Sequence, residues 1–338
     1  MLRLTLALLA IGLALLATRP PTVDPILHLS VGAVPLNPKD AAQSTVGALR
    51  YRGGLSLRAA LAGFGGLSDL RVIDNGRRLI AVSDCGSAFV ASLGYDEHGA
   101  LVGLSDAQLR PLVGPGGRPL SGAEGDAESL ARAPDGAFIV GFEQRHRLWR
   151  YPPGGAPLSL APDLLAAPPG SASLGLNQGL EAVLSLEDGR LVVFSEAVRP
   201  QTRTALGWVE KGAIWEEFEL PLAYADDAPG EPFRPTGAAL LPGGDVLLLE
   251  RRYPPVAARL RRIRREALEN REDLEGTELA RFAPPLTVDN FEGVDIGPGP
   301  DGALRLFLIS DDNDCAKAGH RHGTSAQRTL LLSFSLAD

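Results

Sequence analysis

Five times along the chain, a short apolar stretch runs into a glycine turn, and a second apolar, β-branched stretch follows and ends in acidic residues. The copies span residues 66–84, 127–143, 180–196, 235–250 and 291–312. Asp-Gly or Asn-Gly between apolar runs is the strongest local signal for an antiparallel hairpin. Each copy is therefore predicted as two paired strands. The turn glycines Gly76, Gly136, Gly189, Gly244 and Gly302 are 60, 53, 55 and 58 residues apart, a mean of about 56. A unit of that length holds about four short strands, the blade of a β-propeller. Segments 146–151, 205–222 and 258–268 supply further strand candidates between the copies.

Composition agrees with an all-β reading. The 338 residues include 39 Gly and 27 Pro, too many breakers for a helical bundle. Residues 4–17 form an apolar run broken only by Thr5 and Gly12, and they follow Arg3. That is short for a spanning helix and fits a secretory signal or N-terminal anchor over residues 1–22. Residues 23–338 are expected as a single propeller, periplasmic or secreted. Dividing the mature length by the repeat gives five to six blades, and six is the expectation. A closing blade would join the strand at 328–336 to N-terminal strands within 26–57, removing the open edge. A net charge of −8 argues against a nucleic-acid partner. No membrane contact beyond the N-terminal segment is expected, and the protein is expected to be a monomer. The charged run at 258–275 reads as a solvated outer strand and turn.

Polar residues recur at one level of the hairpins. Ser68, Glu128, Glu181, Thr236 and Glu292 open the first strands, and Asp84, Glu143, Glu196, Glu250 and Asp311 end the second strands. Both sets fall at the same end of a hairpin, opposite its turn. If the hairpins are innermost, all ten gather at the mouth of the central channel. Clustered carboxylates need compensation. A hard cation such as Ca²⁺ would supply it. So would arginines beside the strand ends, Arg145, Arg251 and Arg252. Raised carboxyl pKa values are the third route. The run Asp311-Asp312-Asn313-Asp314 is the densest oxygen cluster and lacks the EF-hand spacing.

Other chemistry is sparse. There is no G-x-S-x-G elbow, no H-E-x-x-H helix and no P-loop. His146 is a candidate proton carrier or a packed strand residue, and His320 and His322 flank Arg321 in a polar loop. Trp149 and Tyr151 read as core. Cys85 and Cys315 follow the first and last acidic strand ends; they would either pair across the ring closure or stand as separate thiols.

The motifs GLSDL with AVSDCG, GFEQRHRLWRY, NQGLEAV with FSE, LLLERRY, and DNFEGVD with ISDDND resemble the phytase-like domain family, described as "esterase-like activity of phytase". Their order and spacing cover roughly residues 60–338. The resemblance implies an exported propeller whose site includes Glu128, Glu143, Glu181, Glu196, Glu250, Arg251, Glu292, Asp311 and Asp312. The expected activity is metal-assisted hydrolysis of a small ester or phosphoester at an acidic mouth. Asp84, Asp311 and Asp312 are expected to hold Ca²⁺, and the glutamates with Arg251 to act on the substrate. The rival is a non-catalytic propeller that binds a small ligand or cation. A lactonase-like metal propeller is a third reading.

Overall fold

Each turn-linked repeat folds as an antiparallel hairpin, and the hairpins form the two innermost strands of five radial sheets. The computed structural model describes residues 26–61, 63–225, 228–314 and 327–337. Blade 1 runs outward through Leu67–Ile73, Arg78–Ser83, Ser87–Tyr95 and Leu101–Pro111. Blade 2 comprises Ala127–Arg132, Phe138–Phe142, Arg147–Tyr151 and Asp163–Leu165. Blade 3 comprises Ala182–Ser185, Leu191–Arg199, Thr204–Lys211 and Ile214–Pro221. Blade 4 comprises Arg234–Leu240, Val246–Arg252, Ala257–Ile263 and Thr277–Phe282.

Blade 5 corrects the expected count of six. Its inner hairpin, Phe291–Pro298 and Leu304–Ser310, is completed by Thr329–Leu336 and then by Leu49–Ala59. Leu29–Ala33 and Thr45–Val46 add to the outside of Leu49–Ala59. The N-terminal strands carry no turn-linked hairpin of their own, so they extend the fifth sheet and found no sixth. The ring is nevertheless sealed by strands from both ends of the chain. Blade 4 holds a second correction. The charged stretch at 258–275 includes a third strand and a short helix, Arg265–Asn270, and Arg259 and Arg261 are buried rather than solvated.

Strands of different blades do not pair through their backbones, so side chains must hold the ring together. Five apolar clusters fill the five gaps between neighbouring blades. Leu70, Leu79 and Phe89 of blade 1, for example, meet Phe307, Ile309 and Leu331 of blade 5. Each such side chain, fully buried, contributes about 1.5–3 kcal/mol.

The axis is filled by a polar pair. Asp69 and Arg71 are alternate residues of one strand, so both point to the same side. Both are buried, 3.2 Å apart. Arg71 donates to the carbonyls of Val294 at 3.0 Å, Ala238 at 3.0 Å and Val183 at 3.4 Å, in blades 5, 4 and 3. Asp69 accepts from the amide of Leu130 in blade 2 and from Leu70 in its own strand, both at 2.8 Å. One ion pair thus bonds to the innermost strand of every blade. Arg71→Ala would leave Asp69 buried and uncompensated, at a cost of about 3–5 kcal/mol. Chemical denaturation should show the midpoint fall accordingly; superimposable curves would mean the pair contributes nothing to stability.

Candidate active site at the acidic mouth

In four of the five inner hairpins the register slips by one residue at the same level. The last regular pairs are Leu67 with Ser83, Ala127 with Phe142, Pro235 with Glu250 and Phe291 with Ser310. Pairing resumes beyond Ser68, Glu128, Thr236 and Glu292, which are therefore bulged. A β-bulge re-aims its side chain, and here it turns Glu128 and Glu292 into the channel mouth. In blade 3, Glu181 immediately precedes the paired Ala182 and lines the same cavity. Ser68 and Thr236 stay buried, each donating its hydroxyl to a backbone carbonyl, of Gly66 and of Phe291 respectively, at 3.2 Å.

The same register corrects Glu250. It pairs with the residue before the bulge, level with Ser83, Phe142 and Ser310, so the following residue, Arg251, stands level with Asp84, Glu143 and Asp311. A one-residue offset along a strand reverses the side chain. Glu250 accordingly points away from the mouth, to Arg259 at 2.7 Å and Arg261 at 2.9 Å. Asp312 is also outside the cavity. Its carboxylate accepts from the Gly66 amide at 3.0 Å and the Thr329 hydroxyl at 2.7 Å, tying blade 5 to the entry of blade 1.

The mouth is a cavity of about 600 Å³ lined by eight carboxylates and a single arginine. Asp84, Glu128, Glu143, Glu181, Glu196, Glu292 and Asp311 are joined by Asp126, which the repeat pattern did not single out. Asn177, Asn290 and the exposed ring of Tyr253 also line it. Gly66 makes room for Asp84: its φ is +57°, and a Cβ there would fall 1.9 Å from a carboxylate oxygen. Arg251, in blade 4, reaches Glu196 of blade 3 at 3.4 Å and Glu292 of blade 5 at 2.9 Å. Arg145 pairs instead with Glu124, and Arg252 is buried over the ring of Phe233. His146 does not line the cavity; its Nε2 lies 3.1 Å from the Gly175 carbonyl. Cys315, His320, His322 and the apolar segment 4–17 lie outside the described residues, and so does the Cys85–Cys315 pairing.

The acids feel one another. Burial, then Glu181 and Asp84, push Glu128 well above the carboxylate range. Burial and then Glu143 and Glu196 do the same to Glu181. Burial also raises Glu143, against the Gly179 amide that donates to it at 3.1 Å. Burial raises Glu292 to about 8 despite the pull of Arg251, and it raises Asp311 as well. Burial works against the charge of Arg251, but Glu292, Glu196 and Glu181 outweigh it and raise its pKa. One oxygen from each of Asp126, Glu128 and Glu143 lies within 4.8 Å of the others. Ligands about 2.3–2.6 Å from one Ca²⁺ ion have that mutual spacing. The donor set is all hard oxygen and fits a hard divalent cation.

The family model described as "Phytase-like: Esterase-like activity of phytase" matches residues 62–314, about three quarters of the chain. The chain belongs to this family. No curated protein matches it. Solved structures similar to this phytase-like chain include the PQQ-bound aldose sugar dehydrogenase of Streptomyces coelicolor, at 14% identity and TM-score 0.43, covering 92% of this chain and 100% of that one. A luciferin-regenerating enzyme aligns at 10% identity and TM-score 0.41, covering 81% and 93%.

The raised carboxyls fix the sign of a pH dependence. The native state holds the proton of Glu292 up to about 8, whereas the unfolded chain releases it near 4.5. The stability this contributes is complete below the unfolded value and is lost as pH rises through the folded one. Glu128, Glu143, Glu181 and Asp311 shift in the same direction. In chelator, the melting temperature of the phytase-like chain should fall by several degrees between about pH 5 and about pH 9. A rise over that interval would show that the mouth carboxyls are ionised at no cost.

Proposed function

We propose that the mouth binds a divalent cation, Ca²⁺ by its oxygen ligands, and hydrolyses a small ester or phosphoester there. The observation that carries this reading is the convergence of Asp126, Glu128 and Glu143 oxygens in a cavity with eight acids and one arginine. The family's description, with its esterase-like activity, points the same way. The apolar stretch 4–17 makes the proposed enzyme an exported one.

When bound, a hard cation supplies Lewis acidity to the substrate oxygen. The chain supplies the rest. Asp126, Glu128 and Glu143 would hold the ion. Glu181, buried beside Glu143, would in its ionised form take a proton from the attacking water. Arg251 is held between Glu196 and Glu292 and faces the cavity as its one fixed positive charge. It is placed to stabilise negative charge developing on the substrate.

A specific observation favours a second reading, capture of an organic cation without catalysis. Tyr253 exposes 62% of its surface at the same cavity, and an aromatic face among carboxylates suits an alkylammonium group.

Ca²⁺ should raise the melting temperature, and Glu128→Gln should weaken Ca²⁺ binding about tenfold or more by calorimetry. A panel of aryl phosphates, aryl acetates and lactones tests turnover in Ca²⁺. Glu181→Gln should lower any rate found by about 10²-fold or more. An unchanged rate removes Glu181 from the mechanism. Calcium binding with no turnover on any of the three classes moves the assignment to the binding protein.

A further inference from the structure

A second cavity, of about 500 Å³, opens beside the acidic mouth, between the loop leaving blade 1 and the top of blade 2. Arg118, Arg145 and Arg147 line it, with one carboxylate, Glu124, and the apolar surfaces of Leu120 and Trp149. The two cavities share two stretches of chain. Along the first, Glu124 faces this pocket while Asp126 and Glu128 line the mouth. Along the second, Arg145 and Arg147 face the pocket while Glu143 and Gln144 line the mouth. One wall therefore has acids on one side and arginines on the other.

The pocket's single acid is already engaged, because Arg145 lies 2.6 Å from Glu124. Among the described residues, neither Arg118 nor Arg147 has a carboxylate within ion-pair distance. Arg147 is also immobilised. Its guanidinium lies 3.9 Å over the ring of Phe142 and 4.4 Å over that of Trp149. It donates to the backbone carbonyls of Arg145, at 2.9 Å, and of Glu124, which are neutral partners. Burial lowers its pKa to about 10, so it stays charged near neutral pH. A solvated surface arginine would be mobile. This one is held rigid beside an indole in a chain of net charge −8. Gly114 leaves room for Leu120 at the pocket wall, since a Cβ there would fall 2.8 Å from the leucine Cδ2.

We propose that this pocket binds a small organic anion, a carboxylate or phosphate-type group carried on a flat apolar ring. The anion meets Arg147 and Arg118, whose planar donor forks match its oxygens. The ring lies against Leu120 and the small exposed part of Trp149. The volume suits a ligand of one or two rings. The site is independent of any hydrolysis at the mouth.

Phenylphosphonate, which is not turned over, is the probe, titrated into the full protein in excess chelator and followed by calorimetry and tryptophan fluorescence. Saturable binding with a change in fluorescence is expected. Arg118 is exposed, so Arg118→Glu should leave the melting temperature unchanged and weaken binding about tenfold or more. Trp149→Phe should abolish the fluorescence change while calorimetric binding persists. Absence of saturable binding, or an Arg118→Glu variant that binds as tightly as the parent, would overturn the proposal. Equal affinity for benzylamine would overturn the anionic half, and equal affinity for inorganic phosphate the apolar half.

Discussion

Everything above the channel floor rests on one buried ion pair. The inner edges of propeller blades splay around an axis where no backbone pairing is available, and a five-membered ring leaves a narrow space there. Asp69 and Arg71 fill it with hydrogen bonds to all five inner strands. A buried charge pair is stable only when its remaining donors and acceptors are satisfied, and here the blades themselves satisfy them. The arrangement works in both directions. The pair is tolerated because the ring is closed, and the ring is held in register because the pair must be bonded.

That floor explains how so many acids stand together above it. The mouth carboxyls sit on bulges and strand ends, fixed by sheet register rather than by flexible loops. They cannot separate to relieve their repulsion, and protons, Arg251 or a bound cation must do so instead. The bridge from Glu196 through Arg251 to Glu292 crosses blades 3, 4 and 5, while Asp126, Glu128 and Glu143 all belong to blade 2 and the segment leading into it. The two halves of the mouth are therefore chemically unlike: one is bridged by an internal guanidinium, and the other has no arginine among its lining residues.

The repeats were legible because Asp-Gly turns and alternating apolar residues are local signals, and they sufficed for the propeller and its sealed ring. The blade number was not, since a length divided by a period does not say which sheet the terminal strands extend. Most of the mouth acids were visible as a recurrence, but its cause, the bulge, leaves no mark in composition. Glu250 shows the consequence. Counting from the turn glycine placed it with Glu143 and Glu196, whereas pairing across the sheet puts Arg251 at that level. Asp69 and Arg71 escaped notice because Asp-Leu-Arg in a strand reads as an ordinary solvent-facing alternation. Only closure of the ring turns that face inward. Asp126 lies one residue ahead of its strand, outside the repeated pattern.

The closing sheet also sets an order of events in time. Leu49–Ala59 precedes the strands of blades 1 to 4 in the chain, and its partner Thr329–Leu336 follows them all. Four blades can assemble from contacts local in sequence, but the fifth needs two segments separated by nearly the whole chain, the kind of contact that slows folding. Until it forms, the edges of blades 1 and 4 that will face blade 5 are uncovered, the cluster between blades 5 and 1 is unbuilt, and Arg71 lacks its Val294 acceptor. A growing chain therefore stays an open arc until Thr329–Leu336 is made. Without that strand, the edge of Leu49–Ala59 that faces it stays open to a foreign strand.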